Sequence, residues 1–203
     1  MSSVLSSAAR RYAAEFLGTF MLTFAVLVSA SGGLSSVTPI IAGFTLMMIV
    51  YLLGGISGAH VNPAITLAQL SIRGITLADA VPYIAAQLLG AVAALALGWS
   101  TIPELVQPPF EDALLPAGSE ALGAFFLSFA VASAASGRLP AGVNGIAVGG
   151  SLLLGIIFAT IGSIGVLNPA VSIALRLFSL TYLAAPIVGA ILGAWAHRLI
   201  VGK

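Results

Sequence analysis

Glu15-Phe-Leu-Gly-Thr-Phe-Met-Leu-Thr-Phe-Ala-Val26 returns as Glu120-Ala-Leu-Gly-Ala-Phe-Phe-Leu-Ser-Phe-Ala-Val131, at a constant offset of 105 residues. A second pair, Asn62-Pro63-Ala64 and Asn168-Pro169-Ala170, repeats at an offset of 106. Two separate blocks in register to within one residue make the chain two copies of one unit, about 10–100 and about 119–203, in a single domain spanning 1–203. A shared apolar composition alone predicts neither feature.

The unit belongs in lipid. Hydrophobic residues make up 60% of the 203 residues and charged residues 6%, and the mean hydropathy is +1.15. Too few polar side chains remain to coat a soluble globule. The apolar stretches run for about twenty residues, the length a helix needs to cross, and lack the short alternation of a strand-built barrel. Six spans are expected at 12–32, 39–57, 80–100, 120–137, 142–162 and 182–201. Two shorter apolar pieces, 62–72 and 168–178, reach half a membrane thickness at ~1.5 Å per residue and are expected to be re-entrant half-helices. The fold class is therefore an all-α membrane protein of six transmembrane helices plus two half-helices.

Three spans per copy is an odd number, so the second copy enters the bilayer from the opposite face, as an inverted repeat. With the N-terminus in the cytoplasm, Arg10, Arg11, Arg73, Arg138, Arg198 and Lys203 all fall on the cytoplasmic side, which the positive-inside rule favours for both termini. Arg176 alone falls outside. It lies five residues past Val171, about 140° around a helix, so it is expected to face away from Val171 and snorkel at the outer surface. The connection 101–119 holds Glu104, Glu111, Asp112 and four prolines without a basic residue, as an outer loop tolerates. Val28-Ser29-Ala30 resembles a signal-peptidase site, but the apolar run is long, contains Glu15 and has an internal copy, so no cleavage is expected.

Several function classes fall away. A net charge of +1 with no long basic run gives no footprint for nucleic acid. The absence of cysteine excludes disulfides and thiolate chemistry, and the two histidines, His60 and His197, lie in different segments, so neither a metal nor another cofactor is expected. Nothing points to an enzyme.

The Asn-Pro-Ala triplets obey helix-start chemistry: Asn caps, Pro suits the first helical position because its missing N–H would be unpaired there, and Ala continues the helix. The side-chain carbonyl of Asn62 and Asn168 can cap backbone donors while the amide nitrogen is left to donate to an oxygen passing between them. Two helix N-termini aimed at the bilayer centre repel cations. A water held by both amides breaks the donor–acceptor chain that proton hopping needs.

Over nearly its whole length the sequence resembles the aquaporin and aquaglyceroporin (major intrinsic protein) family. Gly55-Ile-Ser-Gly-Ala-His-Val-Asn-Pro-Ala-Ile-Thr66 is similar to the first family signature, and Tyr83, Gln87, Gly90 and Ala91 resemble its third span. The resemblance implies a pore in each subunit, a homotetramer in the cell membrane, and passive permeation of water and small uncharged solutes. It implies that Glu15 and Glu120 support the re-entrant loops, that Gly18, Gly90, Gly123 and Gly193 allow close approach of helices, and that His60 sits on the cytoplasmic side as a lining or loop-packing residue.

The departure from the family pattern lies after the second triplet, where Val171 stands in place of the usual selectivity arginine. The other constriction positions by correspondence are Ala42, Ile156 and Gly165. A constriction of these four implies passage of solutes larger than water, such as polyols, urea or neutral metalloid hydroxides, and its apolar opening is also compatible with ammonia or dissolved gas. The alternatives are a secondary transporter, which also uses inverted repeats and broken helices, and a non-conducting junction protein of the same fold.

Overall fold

The structure, a computed structural model, describes residues 6–202; Lys203, counted above among the basic residues, lies outside them. Nine α-helices follow one another among the described residues, joined by turns and one short 3-10 turn at Ser35–Val37. Five helical stretches are long and apolar enough to cross a membrane, and the sixth crossing is a helix of 16 residues.

The first repeat holds α1 (Ser7–Ser31), α2 (Thr38–Ser57), the half-helix α3 (Pro63–Ser71) and α4 (Leu77–Thr101). Ser6 caps α1 by accepting from the Ala9 N–H, and Thr76 caps α4 by accepting from the Asp79 N–H. Gly58 ends α2 at φ 86°, a left-handed position that glycine takes without steric cost. The second repeat holds α5 (Leu114–Ala135), α6 (Asn144–Ala159), the half-helix α7 (Pro169–Ala174), the single turn α8 (Leu180–Leu183) and α9 (Ala185–Val201).

Three boundaries differ from the hydropathy reading. Helix α5 starts six residues before Glu120, because Pro116 sits in its first turn, where a missing N–H costs nothing. The half-helix expected over 168–178 stops at Ala174, and Arg176 turns left-handed at φ 62°. The last span is broken between α8 and α9. Pro186 cannot donate to the carbonyl four residues back, and that carbonyl, of Tyr182, instead accepts the Ser172 hydroxyl at 3.0 Å. A proline that breaks a crossing helix thereby frees an acceptor that anchors the neighbouring half-helix.

Within each repeat the first helix packs on the other two: α1 on α2 and α4, α5 on α6 and α9. The repeats meet through α2 on α6, and each half-helix crosses over, α3 lying on α9 and α7 on α4. Small residues set these distances, since lipid supplies no hydrophobic force between helices and close backbone packing must. A Cβ on Gly90 would meet the Phe16 carbonyl, and one on Gly189 the backbone of Ala121. Gly193 does the same against Phe125, whereas Gly18 makes room for the Val61 side chain of a re-entrant loop and, on α2, for the side chains of Ile49 and Leu53. Gly123 serves both ends, facing the Gly155 carbonyl and the Leu167 side chain.

One face carries most of the cationic contacts. Arg11 pairs with Asp79 at 2.7 Å, joining the starts of α1 and α4, and Arg198 donates to the Ile72 carbonyl at 2.8 Å, at the C-terminal end of α3, where a cation suits the helix dipole.

Candidate functional site

The site is built by two short loops, residues 58–62 and 164–168, each leading into a half-helix. Their backbones alternate through left-handed positions: Ala59 (φ 49°) and Val61 (φ 41°) in one, Gly165 (φ 71°) and Leu167 (φ 57°) in the other. For a residue with a side chain this conformation costs about 1–2 kcal/mol, so something must hold it. Here two buried carboxylates do.

Glu15 Oε1 accepts from the Ser57 hydroxyl (2.6 Å) and the His60 N–H (3.0 Å), and Oε2 from the Val61 N–H (2.7 Å) and Gln87 Nε2 (2.7 Å). Glu120 Oε1 accepts from the Ser163 hydroxyl (2.7 Å) and the Val166 N–H (2.9 Å), and Oε2 from the Leu167 N–H (2.7 Å). Both glutamates are 0% exposed. The twisted loops turn their N–H groups toward the carboxylates, so these donors are satisfied inside the membrane, where no water can do it. Ser57 and Ser163 each stand five residues before an Asn, a repeated spacing that the sequence carried and the reading above did not use. Gln87 has no such local signal; its second-repeat counterpart, by packing, is Pro186.

With the N–H groups turned to glutamate, the carbonyls are free to face the other loop. Asn62 Nδ2 donates to the Leu167 carbonyl and Asn168 Nδ2 to the Val61 carbonyl, each at 2.9 Å, while each side-chain oxygen caps its own helix through the Ala64 or Ala170 N–H. The amide nitrogens are therefore not wholly turned to the passage. One N–H of each locks the loops together, and an amide carries two, which leaves one per Asn for a passing oxygen.

Asn62 and Asn168 line a cavity of about 590 Å³ whose wall on the helix side is apolar, with Leu22, Leu46, Leu127, Val148 and Leu152 among its residues. Pro63, Ala64, Pro169 and Ala170 lie behind, buried in the half-helices. His60 lines the same cavity, with Nδ1 3.2 Å from Thr66 Oγ1 and its ring edge-on to Tyr83, so it both lines and packs.

Ala42 on α2, Ile156 on α6, Gly165 in the loop and Val171 on α7 all face this one cavity. Gly165 lies against Ile156 so closely that a Cβ would stand 2.8 Å from the Ile156 side chain and carbonyl. No Asp, Glu, Lys or Arg lines the cavity among the described residues.

Arg176 lies past the end of α7 and does not line the cavity that Val171 lines; its side chain, half-buried, donates from Nη2 to the Leu105 carbonyl of the outer loop at 3.1 Å.

Membrane-crossing helices around an uncharged passage, entered by two half-helices that meet at their N-termini, define a membrane channel built as an inverted repeat. Residues 2–197 match the major intrinsic protein family. The chain is 37% identical to "Glycerol uptake facilitator protein-like 6" of Lactiplantibacillus plantarum, over 94% of this chain and 98% of that one. It is 35% identical to "Aquaporin NIP1-1" of Zea mays, over 92% and 73%. A solved structure, the aquaglyceroporin from Plasmodium falciparum, superposes with a TM-score of 0.74 at 21% identity, covering 96% and 97% of the two chains, and shows the same fold. The chain belongs to the major intrinsic protein family, multi-pass membrane channels for water and small solutes that are not enzymes.

Proposed function

We propose that each subunit conducts small uncharged solutes larger than water, such as polyols, urea or neutral metalloid hydroxides, in single file past Asn62 and Asn168. The observation that carries the reading is the uncharged lining at Ala42, Ile156, Gly165 and Val171, which offers no guanidinium to fill the passage or grip a water. The printed name of the Lactiplantibacillus plantarum relative, a glycerol uptake facilitator protein, points the same way.

Solute oxygens exchange water for the free N–H of each Asn on one side and slide along the apolar wall on the other. Two N-termini at the same place, those of α3 and α7, disfavour cations there.

The test is Val171→Arg in proteoliposomes, with water and glycerol fluxes read by stopped-flow light scattering. An arginine left unpaired at this depth costs ~2.5–3.5 kcal/mol on insertion scales, so fluxes are normalised to folded channel. The glycerol-to-water permeability ratio is expected to fall. An unchanged ratio with both fluxes above background places the constriction elsewhere.

The clustering of Arg11, Arg198 and the Arg73 turn on one face supports placing that face, with both termini, in the cytoplasm of a cell membrane. Sided labelling of a cysteine introduced at Gln107 checks it. The apolar outer faces, Phe44, Leu52, Leu89 and Trp99 among them, would meet lipid or neighbouring copies in a homotetramer, checked by cross-linking in native membranes.

A further inference from the structure

Two arginines occupy the same backbone station. Arg73 ends α3 and Arg176 ends α7, both left-handed (φ 63° and 62°), and in both turns the next residue's N–H reaches back five residues, Gly74 to the Gln69 carbonyl and Leu177 to the Ser172 carbonyl. This is a helix C-cap of the Schellman kind. The turn itself asks nothing of the side chain: Arg73 is exposed, and its guanidinium makes no hydrogen bond among the described residues.

Arg176 differs in everything but the backbone. It is half-buried, with Nη2 on the Leu105 carbonyl and Nε buried without a hydrogen-bond partner. In return the Gln107 amide donates to the Arg176 carbonyl at 3.1 Å. The two bonds bracket Val106, whose own N–H donates to Ser31 Oγ at 3.1 Å. Beyond the bracket, Val106, Pro108 and Pro109 line the cavity, at the end where Val171 and Leu175 also face it; Arg176 does not line it.

We propose that Arg176 is a specificity-determining positioning residue. It clamps the outer loop at 105–107 so that Val106, Pro108 and Pro109 form the outer wall of the passage, and the loop supplies the narrowing that Val171 does not. The guanidinium acts through the loop and never touches the solute. Two prolines suit that role, because their fixed φ makes a wall that keeps its shape once its base is held.

This rests on the channel reading above, and the test separates the two. Wild type, R176A, R176K, Q107A and the R176A/Q107A double variant are reconstituted, and glycerol and erythritol permeabilities are measured on the same vesicles. Loss of a hydrogen bond of ordinary net strength, as expected for this partly exposed guanidinium, shifts a held segment's population by roughly three- to tenfold. The erythritol-to-glycerol ratio is therefore expected to rise by about that factor in R176A and by less in Q107A. It should rise no further in the double variant, since both cut one clamp. R176K, which keeps one donor in reach of the Leu105 carbonyl, recovers part of the selectivity. A residue that only stabilised the fold would lower both permeabilities together and leave the ratio alone.

If R176A does not reconstitute folded, Q107A carries the test, since its amide meets only the clamp. A ratio unchanged in R176A, or in Q107A where R176A is lost, with wild-type flux above empty vesicles, overturns the clamp and spares the channel. Wild-type vesicles no more permeable to glycerol than empty ones overturn both.

Discussion

Replacing Glu15 by Gln changes one oxygen to an NH₂ group and leaves the shape almost untouched, so it isolates what the carboxylate does. Each oxygen of Glu15 faces two donors, one of them a backbone N–H that cannot turn away: His60 at Oε1 and Val61 at Oε2. The side-chain donors can adapt. The Ser57 hydroxyl can rotate, and Gln87 can flip its amide, whose oxygen is buried without a partner. Whichever way the new amide settles, one loop N–H is left facing a donor. A buried unsatisfied N–H costs about 1–3 kcal/mol, and the remaining bonds lose their charge assistance, about 1 kcal/mol more. The sum is about 2–4 kcal/mol, set against left-handed positions at Ala59 and Val61 that already cost about 1–2 kcal/mol each. Glu15→Gln is therefore expected to unfold at lower sodium dodecyl sulfate fraction in mixed micelles, followed by helical circular dichroism. Folded variant should show reduced flux, because the Val61 carbonyl no longer holds the Asn168 amide. If the variant unfolds within about 1 kcal/mol of wild type, the loop finds other acceptors and the carboxylate is not what holds it.

Gly189→Ala should be far more damaging than its size, because the added methyl lands on the backbone of Ala121 and no rotamer can relieve it; overpacking of this kind costs about 1–3 kcal/mol or more, and the same assay reads it. Asp112 provides a pH test. Hydrogen bonding by Thr181, through its side chain and then its backbone N–H, holds the carboxyl below the ordinary 3.8. A depressed folded pKa means the contribution is present above the unfolded value and lost as pH falls through the folded one. Amide exchange at Thr181 should thus speed up below about pH 4 relative to the rest of α8 and α9, and Asp112→Asn should remove that dependence.

What was legible in the sequence was what is written locally or written twice. The spans follow from runs of apolar residues, the half-helix starts from Asn-Pro caps, and the inversion from an odd number of crossings per copy. The pairing of the two glutamates came from their repetition, and their support of the loops from the family resemblance. Ser57 and Ser163 were equally visible at a fixed distance before each Asn, yet serine in a turn is too common to stand out unless the two copies are aligned. The end of α7 was missed because hydropathy continues through Leu175 and Leu177 while the backbone reverses at Arg176. The break before α9 was missed because a hydropathy window averages over Pro186. Contacts that join positions about seventy residues apart, such as Gln87 with Glu15 and Arg176 with Leu105, depend on which helices become neighbours, and no pattern along the chain encodes that pairing.

The crossed amides, Asn62 to the Leu167 carbonyl and Asn168 to the Val61 carbonyl, join residues 105 and 107 positions apart. That separation imposes an order on biosynthesis. A nascent chain can insert α1 and α2 and settle the first loop on Glu15 while the second repeat is still unmade, but the Asn62 amide has no Leu167 to reach until more than a hundred further residues have been added. The first half must therefore wait in the bilayer with its inner loop closed on one side only, and the passage takes its final bore when the last re-entrant segment arrives.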